Sequence, residues 1–300
     1  MKLSTLQALV AAVEDGSLRS AARRLNVSQP ALTKMIRELE IELAAPLLVR
    51  TSQGVLPTAQ GQVLFERARK VAKELQAATD QISQLGGHMR GELNIGAVPV
   101  AVMLLIPEAL RTFGRAFPDI KLRVSEELYI AQLQRLRSGQ VDIAVGGIPT
   151  GLASGEFVTE ELMTTTMVVV VRKGSPRAKA TKLAQLVDAR WVYTGAATDT
   201  GYAAQLFENH GLPAPPMGAV VNSTLTLLSL VGAGDYVGLL PRQIAQHPLA
   251  TNFISIVPIA EAGLPLTVGT IVRRDSVVSP AIRHFTAHLH RAAHQLAKQK

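Results

Sequence analysis

The 300-residue sequence contains no cysteine. Disulfide bonds, a thiolate nucleophile and a cysteine-ligated zinc site are therefore excluded, and the composition is compatible with a reducing cytoplasm. Long apolar runs are also missing, since no uninterrupted stretch approaches the ~20 residues that cross a bilayer. The N-terminal segment carries only Lys2 before its apolar run, which Glu14 and Asp15 interrupt, so a secretory signal is not expected. We therefore expect a cytoplasmic protein without a membrane partner.

Recognisable catalytic and cofactor motifs are missing as well. The sequence has neither a G-x-S-x-G elbow nor a phosphate-binding loop with its lysine, and the glycine-rich segment 232–238 lacks the final spacing of a dinucleotide loop. The last predicted helix carries His284 with His288 and His290 with His294, each pair four residues apart. Without a cysteine or the glutamate of a zinc-protease motif, we interpret these histidines as a solvated face. No catalytic residue, metal site or cofactor is predicted.

The overall composition is that of a globular protein, with 47% hydrophobic and 18% charged residues. Three hundred residues are enough for two or three packed units, each with its own core. The formal net charge of +8 favours a polyanionic partner. Because the basic residues are spread along the chain, charge alone does not identify that partner as nucleic acid.

Residues 17–37 have the pattern of two short helices joined by a tight turn. In the second helix Leu32, Ile36 and Leu39 recur at i, i+4 and i+7, which marks one side as buried. Ser28 can cap this helix by accepting a hydrogen bond from a free N–H group. Small residues in the first helix let the two helices cross closely, as a helix-turn-helix requires if its second helix is to enter a DNA major groove.

The other side of the second helix is polar. Its amide Gln29 can read base edges bidentately, while Lys34 and Arg37 can reach guanine or phosphate. Thr33 projects from the same side, and Pro30 falls in the first turn, where a missing N–H costs nothing. An ordinary helical hairpin with a solvated polar face would show the same local pattern, so the interpretation depends on the neighbouring elements.

Residues 47–58 follow as two short extended runs about a Ser-Gln-Gly turn, which predicts a β-hairpin, or wing. Arg50 lies in its first strand, where a long cationic side chain could reach the DNA backbone or minor groove. The alternative for Arg50 is a surface ion pair.

Thr58 is predicted to cap a long helix with an apolar heptad seam. The seam positions are Leu64, Ala68, Val71, Leu75, Ala78, Ile82 and Leu85. Three unbroken heptads indicate a narrow apolar stripe that is buried against another helix. At roughly 40 Å, the helix is too long for the interior of a small domain. We expect its partner to be the same helix in a second chain; the alternative is an amphipathic helix lying on its own domain.

The glycine-rich segment 86–92 is predicted to be a hinge. Beyond it, apolar strands alternate with helices, which is typical of a parallel sheet covered on both faces. The pattern predicts two similar α/β lobes joined by two crossing strands, with a cleft between them for a small ligand. Such ligands bind at the carboxyl ends of the strands.

Taken together, these segments resemble the LysR-type transcriptional regulators over essentially the whole length. The most specific part is the first 61 residues, and the positions that match the family's pattern are Gly16, Ser17, Ala21, Ala22, Leu25, Ser28, Gln29, Pro30, Ala31, Leu39, Glu40, Leu43, Pro46, Leu47 and Arg50. Leu48 and Pro57 depart from that pattern, but both are apolar and leave the assignment intact.

The resemblance implies an α/β fold with an N-terminal winged helix-turn-helix, a long coiled-coil linker helix and a two-lobed effector domain similar to periplasmic binding proteins. The corresponding segments are 1–58, 59–87 and 88–300, with lobe I at 91–162 and 269–300 and lobe II at 163–268. It also implies homodimers paired through the linker helix, commonly assembled as homotetramers, on partly palindromic double-stranded promoter DNA. RNA polymerase is a further candidate partner.

Site residues carry over from the resemblance position by position. The implied DNA contacts are Ser28, Gln29, Pro30, Thr33, Lys34, Arg37 and Arg50. Family members often place a hydroxyl in the loop after the first effector strand to hold an anion, but here only backbone donors at Val100 and Ala101 remain, so an anionic and an aromatic effector both stay open. The candidate effector residues are Pro99, Val100, Ala101, Tyr129, Thr194, Thr198, Thr200, Gly201, Asn222 and Pro241.

The predicted function is therefore that of a sequence-specific regulator of transcription that responds to a small-molecule effector bound between the lobes. A solute-binding protein, with the N-terminal segment serving only for oligomerisation, is the alternative from another class. An α/β enzyme is the third hypothesis.

Overall fold

The computed structural model describes residues 1–51, 54–126, 129–149, 152, 155–194, 201–261, 263–274 and 279–298. The chain divides into two compact units, Met1–Ser83 and Gln84–Lys300. Within the described residues, no helix combines the length and the apolar character that a bilayer span requires.

The first unit is built from helices and one hairpin. Its elements are α1 (Leu3–Asp15), α2 (Leu18–Arg24), α3 (Gln29–Leu43), β1 (Leu48–Thr51), β2 (Gly54–Pro57) and α4 (Ala59–Leu85), whose last two residues belong to the second unit. Gly16 ends α1 in the left-handed conformation, with φ of 61°, and the Ser17 side chain then accepts a hydrogen bond from the Ser20 N–H at 3.4 Å. The predicted helix-turn-helix is confirmed.

The core of the first unit lies where α1, α2 and α3 cross. Ala21 and Ala22 of α2 are buried, so their small side chains permit the close approach of the helices. Leu32, Ile36 and Leu39 of α3 are buried in the same cluster, as their spacing predicts. This burial fixes the rotation of α3 about its axis and leaves the other face outside.

The hairpin of β1 and β2 is fastened to the helices by hydrogen bonds from its backbone N–H groups. The Glu40 carboxylate on α3 accepts from the Leu47 N–H at 2.8 Å and from the Leu48 N–H at 3.3 Å. On the other strand, the Val55 N–H donates to the Gly16 carbonyl at 2.9 Å. Because both strands are tied to different helices, the wing holds a defined position against the helix-turn-helix.

The start of α4 is packed against the backbone that enters the wing. Thr58 caps α4 by accepting from the Gly61 N–H at 2.9 Å, and its hydroxyl donates to the Pro46 carbonyl at 2.7 Å. A Cβ atom on Gly61 would lie only 1.9 Å from the Leu47 carbonyl oxygen. The close contact between the start of α4 and the Leu47 backbone therefore requires glycine at position 61.

We expect Gly61→Ala to destabilise the first unit by about 1–3 kcal/mol, because the added methyl group must displace backbone. Gly114→Ala is the matched control: this glycine lies in a helix of the second unit with open space around it, so alanine should stabilise by about 0.5–1 kcal/mol. Urea unfolding followed by circular dichroism measures both changes. Equal stability of the two variants would contradict the packing described here.

The apolar seam of α4 is covered at its start only. Ala68 is buried and Leu64 half-buried in the core of the first unit. The other seam side chains are exposed within the chain, with exposed fractions of 46% for Val71, 47% for Leu75 and 72% for Ile82.

The second unit alternates strands and helices. Its elements are β3 (Gly91–Ala97), α5 (Pro99–Leu104), α6 (Ile106–Ala116), β4 (Ile120–Glu126), α7 (Tyr129–Arg137), β5 (Ile143–Gly147), β6 (Phe157–Arg172), two short 3₁₀ helices (Pro176–Lys179 and Leu183–Leu186), β7 (Arg190–Thr194), α8 (Tyr202–Asn209), β8 (Met217–Val221), α9 (Thr224–Ala233), β9 (Tyr236–Pro241), α10 (Arg242–Ala245), α11 (Pro248–Thr251), β10 (Ile254–Ile256), β11 (Pro265–Arg273) and α12 (Pro280–Lys298).

One twisted sheet runs through both lobes of this unit. The strand order is β4-β3-β5-β11-β6-β9-β7-β8, and β10 pairs with β6. β3 is parallel to β4 and β5 in one lobe, and β7 is parallel to β8 and β9 in the other. The long antiparallel pair of β6 and β11 joins them, because β6 pairs with β11 over its first part and with β9 and β10 over its last. The predicted pair of lobes with two crossing strands is confirmed.

Helix α12 corrects the interpretation of the terminal histidines. His288 is 5% exposed and its Nδ1 lies 2.7 Å from the Thr112 hydroxyl on α6, with the imidazole 5.5 Å from the Phe113 ring. Burial, with smaller electrostatic contributions from Arg291 and His284, lowers the pKa of His288 below its ordinary value. The predicted solvated face is thus wrong at this position, because α12 turns His288 onto α6.

The other histidines of α12 do not form a metal site in the described part of the chain. His290 Nε2 lies 3.2 Å from a carboxylate oxygen of Glu160. Among the described residues there is no group of three or more histidine, aspartate or glutamate side chains that could hold a metal ion.

The segment predicted to be a hinge is bridged by a buried amide. The Gln84 side chain is 6% exposed; its Nε2 donates to the Arg90 carbonyl at 3.2 Å and its Oε1 accepts from the Ala281 N–H at 3.3 Å. Gly87 and Gly91 adopt positive φ values of 87° and 120°, so the turn itself needs glycine. The end of α4 is therefore tied to both the start of β3 and the start of α12.

Candidate nucleic-acid interface and ligand cleft

The polar side of α3 forms one continuous surface. Ser28 caps the helix by accepting from the Ala31 N–H at 3.2 Å. The side chains that share a shallow concavity on this surface are Gln29, Pro30, Thr33, Lys34 and Arg37. Thr33 is half-buried, whereas the other members of this set are exposed.

The hydrogen-bonding groups of this surface are available to a ligand. Gln29, Thr33 and Arg37 are four residues apart and so form a stripe along the helix. The Thr33 hydroxyl donates to the Gln29 carbonyl at 3.0 Å and keeps its acceptor lone pairs. Lys34 Nζ lies 3.8 Å from Glu38, but an exposed i, i+4 pair of this kind is weak and exchanges readily for a phosphate.

Arg50 is placed on the wing, at a distance in sequence from the other candidates. It is exposed on β1 and pairs with Val55 of β2 in the hairpin register. The alternative of a surface ion pair finds no support, since no described carboxylate lies within ion-pair distance of its guanidinium. Arg50 therefore remains a candidate for contact with an anion.

Two substitutions on α3 should separate base recognition from phosphate contact. Gln29→Ala should weaken binding to the native duplex and reduce its preference over a scrambled duplex, because a bidentate base contact is worth about 1–3 kcal/mol. Lys34→Ala should weaken binding to both duplexes and lower the slope of log affinity against log salt by about one. Fluorescence anisotropy across a salt series measures both, and equal effects of the two variants on both duplexes would contradict this assignment.

In the first lobe, the predicted ligand loop after β3 is the start of a helix. Pro99, Val100 and Ala101 form the first turn of α5 and are buried. The Ala101 N–H, predicted to be a free donor, donates to the Val98 carbonyl at 2.9 Å. This correction arises because α5 is a six-residue apolar helix, too short to show a helical period in the sequence.

In the second lobe, candidates lie at the carboxyl ends of the parallel strands. Thr194 ends β7 and is in register with Val221 of β8, which Asn222 follows. Thr194 is half-buried and Asn222 exposed. Pro241 ends β9 and is buried. These positions share the edge of the sheet at which ligands of such folds bind.

Other candidates are less well defined. Gly201 precedes α8, where a Cβ atom would lie 3.0 Å from a ring carbon of Tyr193. Thr198, Thr200 and the side chain of Tyr129 lie outside the described residues.

A pair of polar residues, Thr165 and Gln243, lies at the crossing of the lobes and is not predicted from the sequence. The buried Thr165, near the middle of β6, donates its hydroxyl to the side-chain oxygen of Gln243 on α10. Since α10 also packs on α5, Gln243 lies where elements of the two lobes meet. No sequence signal marks this pair, because α10 is a single turn and Thr165 is one of three consecutive threonines in β6.

Comparison with known families matches both units. Residues 3–62 match the model described as "Bacterial regulatory helix-turn-helix protein, lysR family", and residues 86–294 match the "LysR substrate binding domain".

Individual proteins are similar over nearly the whole chain. The HTH-type transcriptional regulator GbpR of Azospirillum brasilense is 30% identical over 298 residues, which cover 98% of this chain and 87% of that protein. The crystal structure of CbnR, a LysR family transcriptional regulator, superposes with a TM-score of 0.70 at 22% identity, covering 98% of this chain and 99% of CbnR. Full-length CbnR complexed with its target DNA gives a TM-score of 0.70 at 22% identity, covering 97% of this chain and 100% of CbnR.

Proposed function

This chain belongs to the LysR family of transcriptional regulators, and from that premise we propose roles for its two units. Regulators of this family bind DNA, carry an effector-binding domain and are not enzymes. The helix-turn-helix match over residues 3–62 removes the alternative of a solute-binding protein with an N-terminal oligomerisation domain. A bacterial DNA-binding regulator acts on the chromosome, which lies in the cytoplasm, and this supports a cytoplasmic location.

The first unit recognises promoter DNA through α3 and the wing. The proposed contacts are Ser28, Gln29, Pro30, Thr33, Lys34, Arg37 and Arg50. The observation that carries this assignment is the continuous polar surface of α3 above a fully apolar buried side. Gln29 would read base edges, Lys34 and Arg37 would reach guanine or phosphate, and Arg50 would reach the backbone or minor groove from the wing. Pro30 would add apolar contact and define the start of the helix.

The chain pairs with a second copy through α4, and two such dimers assemble as a tetramer on partly palindromic DNA. Support for the pairing comes from the seam: Leu75 and Ile82 remain exposed in the single chain although they belong to an unbroken heptad pattern. Apolar side chains in such a seam are stabilised when a second helix covers them.

A seam substitution should therefore uncouple the dimer. We expect Leu75→Asp to shift the protein from dimer to monomer and to raise the protein concentration needed for DNA binding at least about tenfold, since one buried leucine contributes about 1.5–3 kcal/mol. Val63→Asp is the matched control, because Val63 lies on the same helix, is 65% exposed and falls outside the seam. Sedimentation velocity gives the mass of each variant. A dimeric Leu75→Asp protein would exclude this pairing.

The second unit binds a small anionic or aromatic effector between its lobes. Thr194, Asn222 and Pro241 at the strand ends, together with the backbone at Val100, support this location. Since the chain has no cysteine, oxidation of a thiol is excluded as the signal.

Effector binding would act by favouring one arrangement of the lobes. A ligand shifts such an equilibrium only through its different affinities for the two arrangements. Gln84 is a suitable relay, because its side chain joins the end of α4 to both the Arg90 carbonyl and the Ala281 N–H. A change in the second unit would thereby alter the direction of α4 and the spacing of the recognition helices on DNA. RNA polymerase is the proposed protein partner at the promoter.

A further inference from the structure

A buried histidine lies in the contact between α6 and α12. His288 belongs to an aromatic cluster, which we define as Phe113, Phe117, His284, Phe285 and His288. Its imidazole centroid lies 5.5 Å from that of Phe113 and 6.4 Å from that of Phe117, with interplanar angles of 78° and 73°. Phe113 also packs edge to face on Phe285 at 5.4 Å, and both of these phenyl rings are fully buried. Apolar rings thus take the place of water around much of this imidazole.

The hydrogen bonds of Thr112 identify the form of the imidazole that this contact accommodates. The Thr112 hydroxyl has a single proton, which it donates to the Glu108 carbonyl at 2.9 Å. Its oxygen therefore accepts from His288 Nδ1, 2.7 Å away, which carries the N–H. A second proton would be placed on Nε2, for which no residue in the described part of the chain provides a hydrogen-bond acceptor. The contact is satisfied by the neutral imidazole, and the imidazolium would add a charge and an unpaired donor.

The charged groups of α12 and α6 do not favour a positive charge on His288. Burial lowers the pKa of His288, and Arg291 and His284 on the same helix lower it further. Glu108 is the single carboxylate of α6, and it accepts from Arg111 Nε at 2.8 Å and from Arg111 Nη2 at 2.6 Å. The acidic group of α6 is therefore already paired with a cation on its own helix.

β6 is another element on which α12 packs, and its carboxylates belong to a different part of the helix. Glu160 lies 3.2 Å from His290 Nε2, and Glu161 beside it is exposed. Protonation of His290 would strengthen its pair with Glu160, which is the opposite of the effect expected at His288. A test of His288 must therefore leave His290 in place.

The direction of the pH effect follows from these contacts. In an unfolded chain His288 takes up its proton near the ordinary histidine pKa of about 6.5, whereas in the folded chain its pKa lies lower. The stability that depends on the neutral imidazole is therefore fully present above about pH 6.5 and is lost as the pH falls below that value. The loss reaches at most about tenfold in the folding equilibrium constant per pH unit.

We propose that the contact between α6 and α12 is an acid-sensitive switch, in which protonation of His288 loosens α12 from α6 below about pH 6.5. The neutral imidazole joins the Thr112 hydroxyl to the aromatic cluster, and the imidazolium cannot be accommodated in the same place. The first lobe would thereby respond to protons independently of the effector. The switch lies within the second unit and does not depend on the proposed DNA contacts.

The test uses the full chain and follows the second unit through its own fluorophore. Trp191 is the single tryptophan of the sequence and is fully buried in the second unit. Urea unfolding monitored by its fluorescence is measured from about pH 8 to about pH 5.5. The test variants are His288→Gln, which keeps an N–H donor for Thr112, and His288→Phe, which keeps a ring in the cluster. His294→Gln is the matched control, because His294 is an exposed histidine of the same helix.

The two His288 variants should lose part of the pH dependence. Over this pH range the wild type and His294→Gln should lose at least about threefold more of their folding equilibrium constant than His288→Gln and His288→Phe lose. Hydrogen–deuterium exchange, measured by mass spectrometry and corrected for the intrinsic effect of pH, should accelerate on acidification in α12 peptides of the wild type but not of the His288 variants. If one of the two variants does not fold, the other makes the same comparison.

Three results would overturn the proposal. The first is equal pH dependence in the wild type and the His288 variants. The second is a gain of stability in the acidified wild type relative to those variants, because the phenyl rings would then bind the imidazolium through cation–π contacts. The third is a loss of stability without faster exchange in α12. Failure of the proposed function is distinguishable, since it appears as loss of duplex preference at neutral pH.

Discussion

The burial of one side of α3 is the constraint on which the DNA-binding unit depends. Leu32, Ile36 and Leu39 anchor that helix in a core built with small residues of α2, and their position dictates which side chains face outward. The wing is then fixed to the same helix by the Glu40 carboxylate, and the start of α4 is fixed to the wing by the close contact at Gly61. The exposed polar side of α3 is thus set by the packing of its apolar side, because the side chains that anchor the helix in the core are Leu32, Ile36 and Leu39.

The second unit depends on a different constraint, the antiparallel pair of β6 and β11 that runs through both lobes. Each lobe has its own parallel strands, so movement between them must bend or twist this shared pair. Thr165 lies within the pair and donates a hydrogen bond to Gln243, where α5 and α10 meet. A movement between the lobes would therefore change the geometry of this hydrogen bond. Within the same unit, the Gln84 side chain at the end of α4 bonds to the Arg90 carbonyl and to the Ala281 N–H.

The sequence predicted those parts of the fold that rest on local patterns. The capped start of α3, the wing hairpin and the alternation of strands and helices all follow from periodicity and turn residues. What it missed depends on contacts between distant segments: the burial of His288 requires α6, and the steric demand at Gly61 requires the backbone of Leu47. The sequence predicts a loop at the start of α5, because a short apolar helix shows no helical period. The effector candidates remain predictions, since no signal in the chain fixes the chemistry of the ligand.

We propose that this chain reads a specific promoter sequence through α3 and the wing. The most direct measurement is a salt titration of the purified protein binding to its own upstream DNA, compared with a scrambled duplex of equal length. We expect a preference for the native duplex that persists as salt rises, because higher salt weakens phosphate contacts more than it weakens hydrogen bonds to base edges. Equal and steeply salt-sensitive binding to both duplexes, with no sequence preference at any salt concentration, would contradict it.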